Sequence, residues 1–317
     1  MTEGSARLAR RITWGASQQT YLTLRLLVDR DLLDDSFRAY AYFRWADDAV
    51  DDWSRTEDER RSFLDRQKSL VASLYRGTRP ARLEPEEEMI ADLIAHDRFP
   101  ESGLHSYIEN FLGLLDFDVD RRGRGISGGE LSWYAELLAR AVTDALLYFI
   151  GNGRPFPEGA DRIAAARAAH VTHMLRDLRR DVPDGYLNVP REHPAGRELG
   201  PDSASRPEVR DWVRSRVEEA RGDFRAGKAY IDRLDLRRKI AARWYCARFE
   251  RTLDAIERDG FELRVTYRDP RIRLALQMAG IALGSAVRHW AAVAARRLHP
   301  REHPVRDHRL RSGAGVS

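Results

Sequence analysis

The sequence predicts an all-α fold, a single domain built as a large helical bundle around a central cavity. Apolar residues recur at helical spacing in about ten stretches, most of them bounded by caps or breakers. No stretch has the alternation that is typical of β-strands. No linker rich in Pro, Gly or Ser divides the first 290 of the 317 residues. We expect a flexible N-terminus over residues 1–14, a helical domain over 15–298 and a basic, disordered tail over 299–317.

Five helices are predicted in the first half of the chain. Thr56 and Glu59 are spaced as a capping box, and Pro85 with the glutamates after it suits a helical first turn. The residues at 34–36 are suited to cap the helix that follows them. Apolar spacing and breakers place the five helices at residues 17–28, 37–52, 56–76, 85–98 and 104–120.

Five more helices are predicted in the second half. The stretch 130–150 is long and strongly apolar, so we expect it to be buried on most sides. Residues 121–129 are rich in Arg and Gly, and residues 188–206 are irregular; both indicate loops. The remaining helices, two of them long, charged and amphipathic, are predicted at 160–181, 207–234, 236–259 and 270–297.

Composition excludes several classes of protein. The net charge is only +4, and the arginines are mixed with acids along helices, so we expect no nucleic-acid partner. A single cysteine, Cys246, excludes an internal disulfide and suits the cytoplasm. Residues 1–11 lack the apolar core of a signal peptide, and the longest apolar run, near 275–287, is too short to span a bilayer. We therefore expect a soluble or peripheral protein.

Four carboxylates fall within six residues at the end of one predicted helix. Asp47 and Asp51 share a helix face, and so do Asp48 and Asp52. A helix C-terminus disfavours acids, and like charges at this spacing repel each other. A divalent cation would compensate the repulsion, since hard cations bind carboxylate oxygens. A solvated helix end is the alternative interpretation.

A second helix repeats this arrangement, because Asp177 and Asp181 are four residues apart beside three arginines. If the two helices face each other, their carboxylates would hold Mg²⁺ ions that a diphosphate bridges. Neighbouring arginines would contact the remaining oxygens. A metal-bound diphosphate is a good leaving group, and an allylic substrate would leave a carbocation that needs an apolar cavity.

Three segments carry a resemblance to a known family. They are Tyr40–Asp51, Met174–Asp181 with Gly185 and Pro190 after it, and Ile256–Phe261. Over roughly residues 17–287 the chain resembles the squalene/phytoene synthases, the head-to-head isoprenyl diphosphate synthases. The resemblance implies an isoprenoid-synthase-type bundle, Mg²⁺ as cofactor with Mn²⁺ as the alternative, and prenyl diphosphates as substrates. It leaves NADPH use and the oligomeric state open.

The resemblance also assigns roles residue by residue. The implied metal ligands are Asp47, Asp51, Asp177 and Asp181, with Asp48 beside them. Arg44 and Arg176 would bind diphosphate, Tyr40 would line the site, and Thr20 would be a diphosphate-facing hydroxyl. Four further residues are assigned to the substrate side of the site: Gln18, Tyr21, His173 and Arg140.

Several positions depart from the family pattern. Gln18 replaces a serine, His170 and His173 replace a glutamine and an asparagine, and Arg180 replaces an acid. Both glycines of a small patch on the channel helix are lost at 138–143. Arg140 in this patch either reaches the cavity as a diphosphate anchor or pairs with Asp144 four residues on. Further replacements follow the second motif, where Arg and Tyr become Tyr186 and Asn188.

The histidine replacements have two interpretations. With Asp177 they form a helical His/His/Asp face that would suit a transition metal. The other interpretation is that they are polar groups at the cavity rim that tune the Mg²⁺ shell.

Three functions compete at this stage. The leading one is head-to-head condensation of two farnesyl or geranylgeranyl diphosphates to phytoene, squalene or presqualene diphosphate. The second is cyclisation or hydrolysis of one prenyl diphosphate, which the lost glycines favour. The third is a non-catalytic assembly factor, which four intact aspartates argue against. The basic tail at 296–311 either contacts anionic membrane or is a solvated terminus.

Overall fold

The computed structural model describes residues 2–52, 54–97, 102–151, 159–196, 206–267 and 271–298, together with 157, 200 and 203. These residues form α-helices and short 3₁₀ turns, and none of them is in a β-strand. The all-α fold predicted from the sequence is confirmed. The eleven helices in the described residues are α1 Thr2–Ala16, α2 Gln18–Leu27, α3 Leu33–Asp51, α4 Glu57–Tyr75, α5 Pro85–Ala95, α6 Gly103–Arg121, α7 Gly128–Phe149, α8 Ala164–Asp181, α9 Pro207–Ile231, α10 Leu236–Arg258 and α11 Arg271–Leu298.

Local signals fix most of the helix starts. The Thr56 hydroxyl accepts from the Glu59 amide and the Glu59 carboxylate accepts from the Thr56 amide, so the predicted capping box is confirmed. The predicted cap at 34–36 is wrong, because α3 begins at Leu33. Asp34 and Asp35 lie in its first turn instead, where the partial positive charge of the helix end stabilises a carboxylate.

The N-terminal segment differs from our expectation, because α1 covers most of the residues expected to be flexible. Its buried face consists of small residues, including Ala9 and Thr13, which let the helix lie close against α3 and α5. The Ser5 hydroxyl donates to Asp92 (2.6 Å) and accepts from the Arg38 guanidinium (3.0 Å). The helix is held by small-residue packing and buried polar contacts, which an apolar periodicity does not reveal. The predicted tail at 299–317 lies outside the described residues.

Two hydrophobic clusters divide the bundle. One is centred on α3 and is completed mainly by α4, α5 and α6. The other is centred on α8 and is completed mainly by α7, α9 and α10. Helix α9 comes very close to α8, since a Cβ on Gly227 would lie 2.5 Å from the Cβ of Ala165. Helices α6 and α7 pack against each other between the clusters and so fix the position of α3 relative to α8.

Helix α11 packs on α10 and ends the described chain. Among the described residues, no helix combines the length and the apolar character needed to cross a membrane.

Candidate active site

The first aspartate pair lies in the last turns of α3. The Arg44 guanidinium donates to Asp48 and lies 3.4 Å from the Asp47 carboxylate. Its positive charge therefore neutralises Asp48 more than Asp47. Burial, together with the negative charges of Asp51 and Asp118, raises the pKa of Asp47 to about 7 against the opposing effect of Arg44. This helix end therefore carries negative charge that the protein does not fully neutralise.

The second pair lies at the end of α8, and its first member is surrounded by cations. The Asp177 carboxylate accepts from His173 (2.8 Å), from Arg176 (2.5 and 3.0 Å) and from Arg180. Burial alone would raise its pKa, but the hydrogen bonds from His173 and Arg176 lower it well below the ordinary range. Asp177 is thus ionised at any pH near neutrality.

The second member of this pair has the opposite environment. Burial raises the pKa of Asp181 to about 7, and the charge of Asp177 contributes to the rise, while Arg121 and Arg180 oppose it. The Asp181 carboxylate accepts a hydrogen bond from the side-chain amide of Asn188 at 3.1 Å. Asp181 therefore resembles Asp47 more closely than it resembles its own neighbour on α8.

A short segment after α8 joins the two motifs. Gly185 has φ +78°, a conformation that a side chain would strain, and its carbonyl accepts from the Gly123 amide at 2.9 Å. Directly after this turn the Tyr186 hydroxyl donates to Asp51, and Asn188 holds Asp181. The last aspartates of both motifs are therefore bound by residues two apart in the chain, which places the motifs at one site.

Helices α6 and α7 supply a buried ionic network beneath this segment. The Arg121 guanidinium donates to Asp118 (2.6 Å) and to the Asn188 side chain (2.5 Å). The Tyr134 hydroxyl donates to Asp118 at 3.1 Å, and the Arg121 guanidinium lies over the rings of Tyr134 and Tyr186 at 4.6 and 4.8 Å. Our sequence prediction missed this network. The spacing of Asp118 and Arg121 late in an apolar helix was its only signal.

Helix α10 contributes a cation that the sequence prediction also missed. Burial lowers the pKa of Arg248, and its charge acts on Tyr40, Arg176 and Asp177. Its guanidinium lies 4.7 Å from the Phe249 ring and makes no hydrogen bond within the described part of the chain. Burial raises the pKa of Tyr40, and the neighbouring Thr20 hydroxyl donates to Ser17 at 2.9 Å. Arg248 on α10 thus lies within electrostatic range of residues on both motif helices, α3 and α8, with its hydrogen-bond donors available.

The two histidines of α8 have different roles in the structure. His173 binds Asp177, whereas His170 is buried with its ring 5.1 Å from Tyr134. Neither ring nitrogen of His170 has a hydrogen-bond partner among the described residues, and burial lowers its pKa well below the usual value. The two histidines and Asp177 therefore do not converge on one point, and the transition-metal interpretation loses its geometric basis.

Tyr21 and Arg140, both assigned to the substrate side, contact side chains other than the motif aspartates. Tyr21 packs between the rings of Trp14 and Phe37, at 5.0 and 4.9 Å. Gln18 is the first residue of α2. Arg140 pairs with Glu136 on its own helix and is exposed.

The predicted pairing of Arg140 with Asp144 is wrong. Asp144 is buried and accepts from Ser106 (2.6 Å) and Arg162 (2.5 Å), which leaves no place for Arg140 beside it.

An apolar cavity lies between α7, α8, α9 and α10. Thr143, at one of the lost glycine positions, faces this cavity, whereas Arg140 at the other does not. Tyr245 lines this cavity and also interacts electrostatically with Arg248, so the cavity begins close to the polar site. Its volume of about 40 Å³ is well below the roughly 300–1,000 Å³ of typical ligand pockets. A long ligand would therefore have to move side chains apart.

The carboxylates suit hard divalent cations, provided that a bound ligand completes the coordination. Asp47 and Asp181 carry negative charge that nearby protein cations leave partly unneutralised, and carboxylate oxygens are ligands that Mg²⁺ prefers. No group of three or more His, Cys, Asp or Glu side chains in the described ranges is arranged to hold an ion by itself. An ion at either pair would take its remaining ligands from a bound diphosphate and from water.

Known proteins resemble this chain in sequence. The squalene/phytoene synthase family model matches residues 15–278. A presqualene diphosphate synthase of Rhodopseudomonas palustris is 30% identical over 179 residues, which are 54% of this chain and 58% of that protein. A presqualene diphosphate synthase of Zymomonas mobilis is 26% identical over 188 residues, 57% and 59% of the two chains. The matches thus span somewhat more than half the length of these curated relatives.

Solved structures share the fold at lower identity. A squalene synthase, HpnC, from Alicyclobacillus acidocaldarius superposes with a TM-score of 0.65 at 20% identity, covering 83% of this chain and 97% of that one. A dehydrosqualene synthase solved with a ligand has a TM-score of 0.70 at 16% identity, covering 88% and 96%. At such identities the likeness establishes the helical fold and nothing finer.

Proposed function

The chain belongs to the squalene/phytoene synthase family, and from this premise we propose that it is an Mg²⁺-dependent prenyltransferase that condenses two allylic prenyl diphosphates head to head. One observation carries the proposal. Tyr186 and Asn188 bind the last aspartates of the two motifs, so both motifs border the same site. A solvated helix end would not need such a connection.

The proposed reaction begins with departure of diphosphate. The C1–O bond of one prenyl diphosphate breaks, and its electron pair leaves with the diphosphate. The double bond of the second prenyl diphosphate attacks the C1 cation, and loss of a proton to the released diphosphate closes a cyclopropane ring. The product is presqualene diphosphate or its longer homologue, and both curated relatives are presqualene diphosphate synthases.

The motif aspartates are proposed to bind the metal ions that neutralise the diphosphate. Asp47, Asp51, Asp177 and Asp181 would hold Mg²⁺ (or Mn²⁺), and the ions would supply neutralisation of the charge that develops on the departing diphosphate. Asp48 would act beside them by holding Arg44.

Three arginines would bind the diphosphate oxygens themselves. Arg44, Arg176 and Arg248 approach the site from three different helices, α3, α8 and α10. Arg44 and Arg176 are paired to aspartates in the structure and would exchange these partners for diphosphate. Arg248 has no such partner to give up, and we propose that it is the first of the three to contact the ligand.

The apolar cavity between α7 and α10 supports a prenyl chain as the organic part of the substrate. Its walls are Val142, Leu146, Tyr245 and similar side chains, which would exclude water from a carbocation, and the Tyr245 ring would face it. Because the cavity is small, we propose that the prenyl chain widens it on binding.

A second candidate is ionisation of a single prenyl diphosphate followed by cyclisation or capture of water. Buried His170, with both ring nitrogens lacking partners among the described residues, favours it, because a neutral imidazole can accept a proton from an attacking water. The lost glycines favour it less than the sequence suggested, since Thr143 faces the cavity and Arg140 does not.

Product analysis distinguishes these functions. The protein is incubated with farnesyl or geranylgeranyl diphosphate and Mg²⁺, with and without NADPH, and the products are identified by mass spectrometry. We expect a cyclopropyl C30 or C40 diphosphate, or the hydrocarbon derived from it. A C15 or C20 alcohol or cyclic hydrocarbon would support the second candidate. Absence of both product and released diphosphate would exclude both enzymes and favour an assembly factor.

A further inference from the structure

Helix α11 presents four large apolar side chains to solvent. Leu276, Leu283, Val287 and Trp290 are 70%, 68%, 60% and 62% exposed. Their spacing of seven, four and three residues places them on one stripe of the helix. Single exposed apolar residues are ordinary, whereas a continuous stripe of four marks an interaction surface. We call these four side chains the outer stripe.

The opposite face of α11 explains why the stripe is not used for packing. Ser285 is fully buried and accepts from the Arg243 guanidinium of α10 at 2.9 Å. The indole nitrogen of Trp244 donates to the Met278 carbonyl at 2.9 Å. These polar contacts help to hold α11 on α10. The side of α11 that faces α10 is therefore already occupied, and the outer stripe lies on the other side of the helix.

Charge indicates what covers the outer stripe. Helix α11 contains no Asp or Glu, and Arg288 is exposed beside the stripe. The sequence from 288 to 311 contains seven arginines and only two acids. A second copy of the chain would bring the same positive charge and be repelled, whereas an anionic lipid surface complements it. A tryptophan close to these arginines suits the boundary between headgroups and acyl chains.

We propose that the outer stripe of α11 docks on the surface of an anionic membrane. The helix would lie in the plane of the interface, with the stripe among the acyl chains and Arg288 at the lipid phosphates. The benefit of this docking rests on the proposed function, because prenyl chains are soluble in membranes. Helix α10, on which α11 packs, also lines the apolar cavity and carries Arg248, so the membrane would lie one helix away from the site that takes prenyl chains.

Vesicle binding without substrate or Mg²⁺ tests the docking independently of catalysis. The full chain is sedimented with vesicles of phosphatidylcholine alone and of phosphatidylcholine mixed with phosphatidylglycerol, at low and high salt. We expect binding to the mixed vesicles that weakens as salt increases, and little binding to phosphatidylcholine. Replacing all four stripe residues with Gln should lower the apparent partition coefficient at least about tenfold. Arg288→Glu should lower it by a smaller factor, about threefold to tenfold.

Two controls separate docking from misfolding and from self-association. The variant Trp133→Gln/Val265→Gln removes exposed apolar side chains from another part of the surface and should bind vesicles like the wild type. The stripe residues are exposed, so the fourfold variant should keep the wild-type helical circular dichroism. Equal vesicle binding by the wild type and the fourfold variant would overturn the proposal. So would a wild-type dimer in sedimentation velocity that the variant converts to monomer, if neither protein binds vesicles.

Discussion

The two aspartate motifs have the same spacing and opposite electrostatic environments. On α8, Asp177 accepts hydrogen bonds from three cationic or potentially cationic side chains, and its pKa is lowered. On α3, Arg44 binds Asp48 more closely than it binds Asp47, and the pKa of Asp47 is raised to about 7. Identical sequence spacing therefore does not imply identical function, because the flanking residues decide how much charge remains.

This difference suggests a division of labour within one site. The α8 motif begins with a carboxylate that is already ionised and fixed by Arg176 and His173. Asp47 and Asp181 keep uncompensated charge, and cations from solution would be attracted to them first. We infer that Asp177 organises the diphosphate-binding arginines while Asp47 and Asp181 recruit the metal.

The largest expected effect is on turnover, and for turnover we expect the two motifs to behave alike. Both Asp47→Asn and Asp177→Asn should lower turnover of prenyl diphosphate at least about 100-fold, because a metal or diphosphate contact is lost in each case. Released diphosphate measures the rate. Asp52→Asn, in the same acidic run, is the matched control and should keep most of the activity. Wild-type rates in either motif variant would refute the two-motif mechanism.

The same two variants should differ in stability. Asp177→Asn removes the negative charge and one of the two acceptor oxygens that Arg176, Arg180 and His173 share, and it should lower the free energy of unfolding by about 1–3 kcal/mol. Asp47→Asn removes a repelled charge, so without divalent ions at pH 8 it should leave that free energy unchanged or raise it. Urea unfolding in EDTA measures both. Equal destabilisation by the two substitutions would show that the contrast between the motifs is not real.

The pH dependence of stability should come from Asp47 and Asp181, whose negative charges are only partly neutralised. The pKa values of Asp47 and Asp181 rise from 3.8 to about 7 on folding, so the folded protein binds more protons than the unfolded chain between these pH values. Their contribution to stability is fully present below about pH 4 and is lost as pH rises through 7. In EDTA, the free energy of unfolding should show this loss across the window, and Mg²⁺ should reduce it at the upper end.

Variants identify the source of this slope. Asp181→Asn should flatten the pH dependence between pH 4 and 7, and the exposed Asp58→Asn on α4 should not. The lowered pKa of Asp177 acts in the opposite sense, since its contribution is lost only as pH falls below about 4. A slope that is the same in Asp181→Asn and the wild type would contradict the assignment.

The smallest expected effect concerns the connection between the motifs. Tyr186→Phe removes the hydroxyl that binds Asp51 and should weaken Mg²⁺-dependent pyrophosphate binding about tenfold. Tyr75→Phe removes a comparable hydroxyl from Asp97, away from both motifs, and should leave the binding unchanged. Isothermal titration calorimetry measures both. If Tyr75→Phe weakens binding as much as Tyr186→Phe, the bridging segment has no special part in the site.

The sequence was sufficient for the helices and the aspartates but not for the contacts between distant segments. Periodicity and capping residues such as Thr56 and Glu59 act over a few positions, so they can be read directly. The packing of α1 depends on small residues whose partners lie on α3 and α5, which no local pattern shows.

The arginines show the same limit within the site. Arg140 was expected to face the cavity or Asp144, yet Glu136 one turn earlier is its partner, and only the rotation of α7 decides between the two. Arg248 carried no motif at all, and its position depends on how α10 packs beside α8. The roles assigned to the aspartates stay predictions until they are measured.

The central claim, that the two motifs form one site for metal and diphosphate, is tested most directly by calorimetric titration of pyrophosphate into the protein with and without Mg²⁺. We expect binding that requires Mg²⁺ in the wild type and in Asp52→Asn. The same binding should be lost in Asp47→Asn on α3 and in Asp177→Asn on α8. Wild-type affinity in either motif variant would mean that one motif suffices, and the account of a shared site would be wrong.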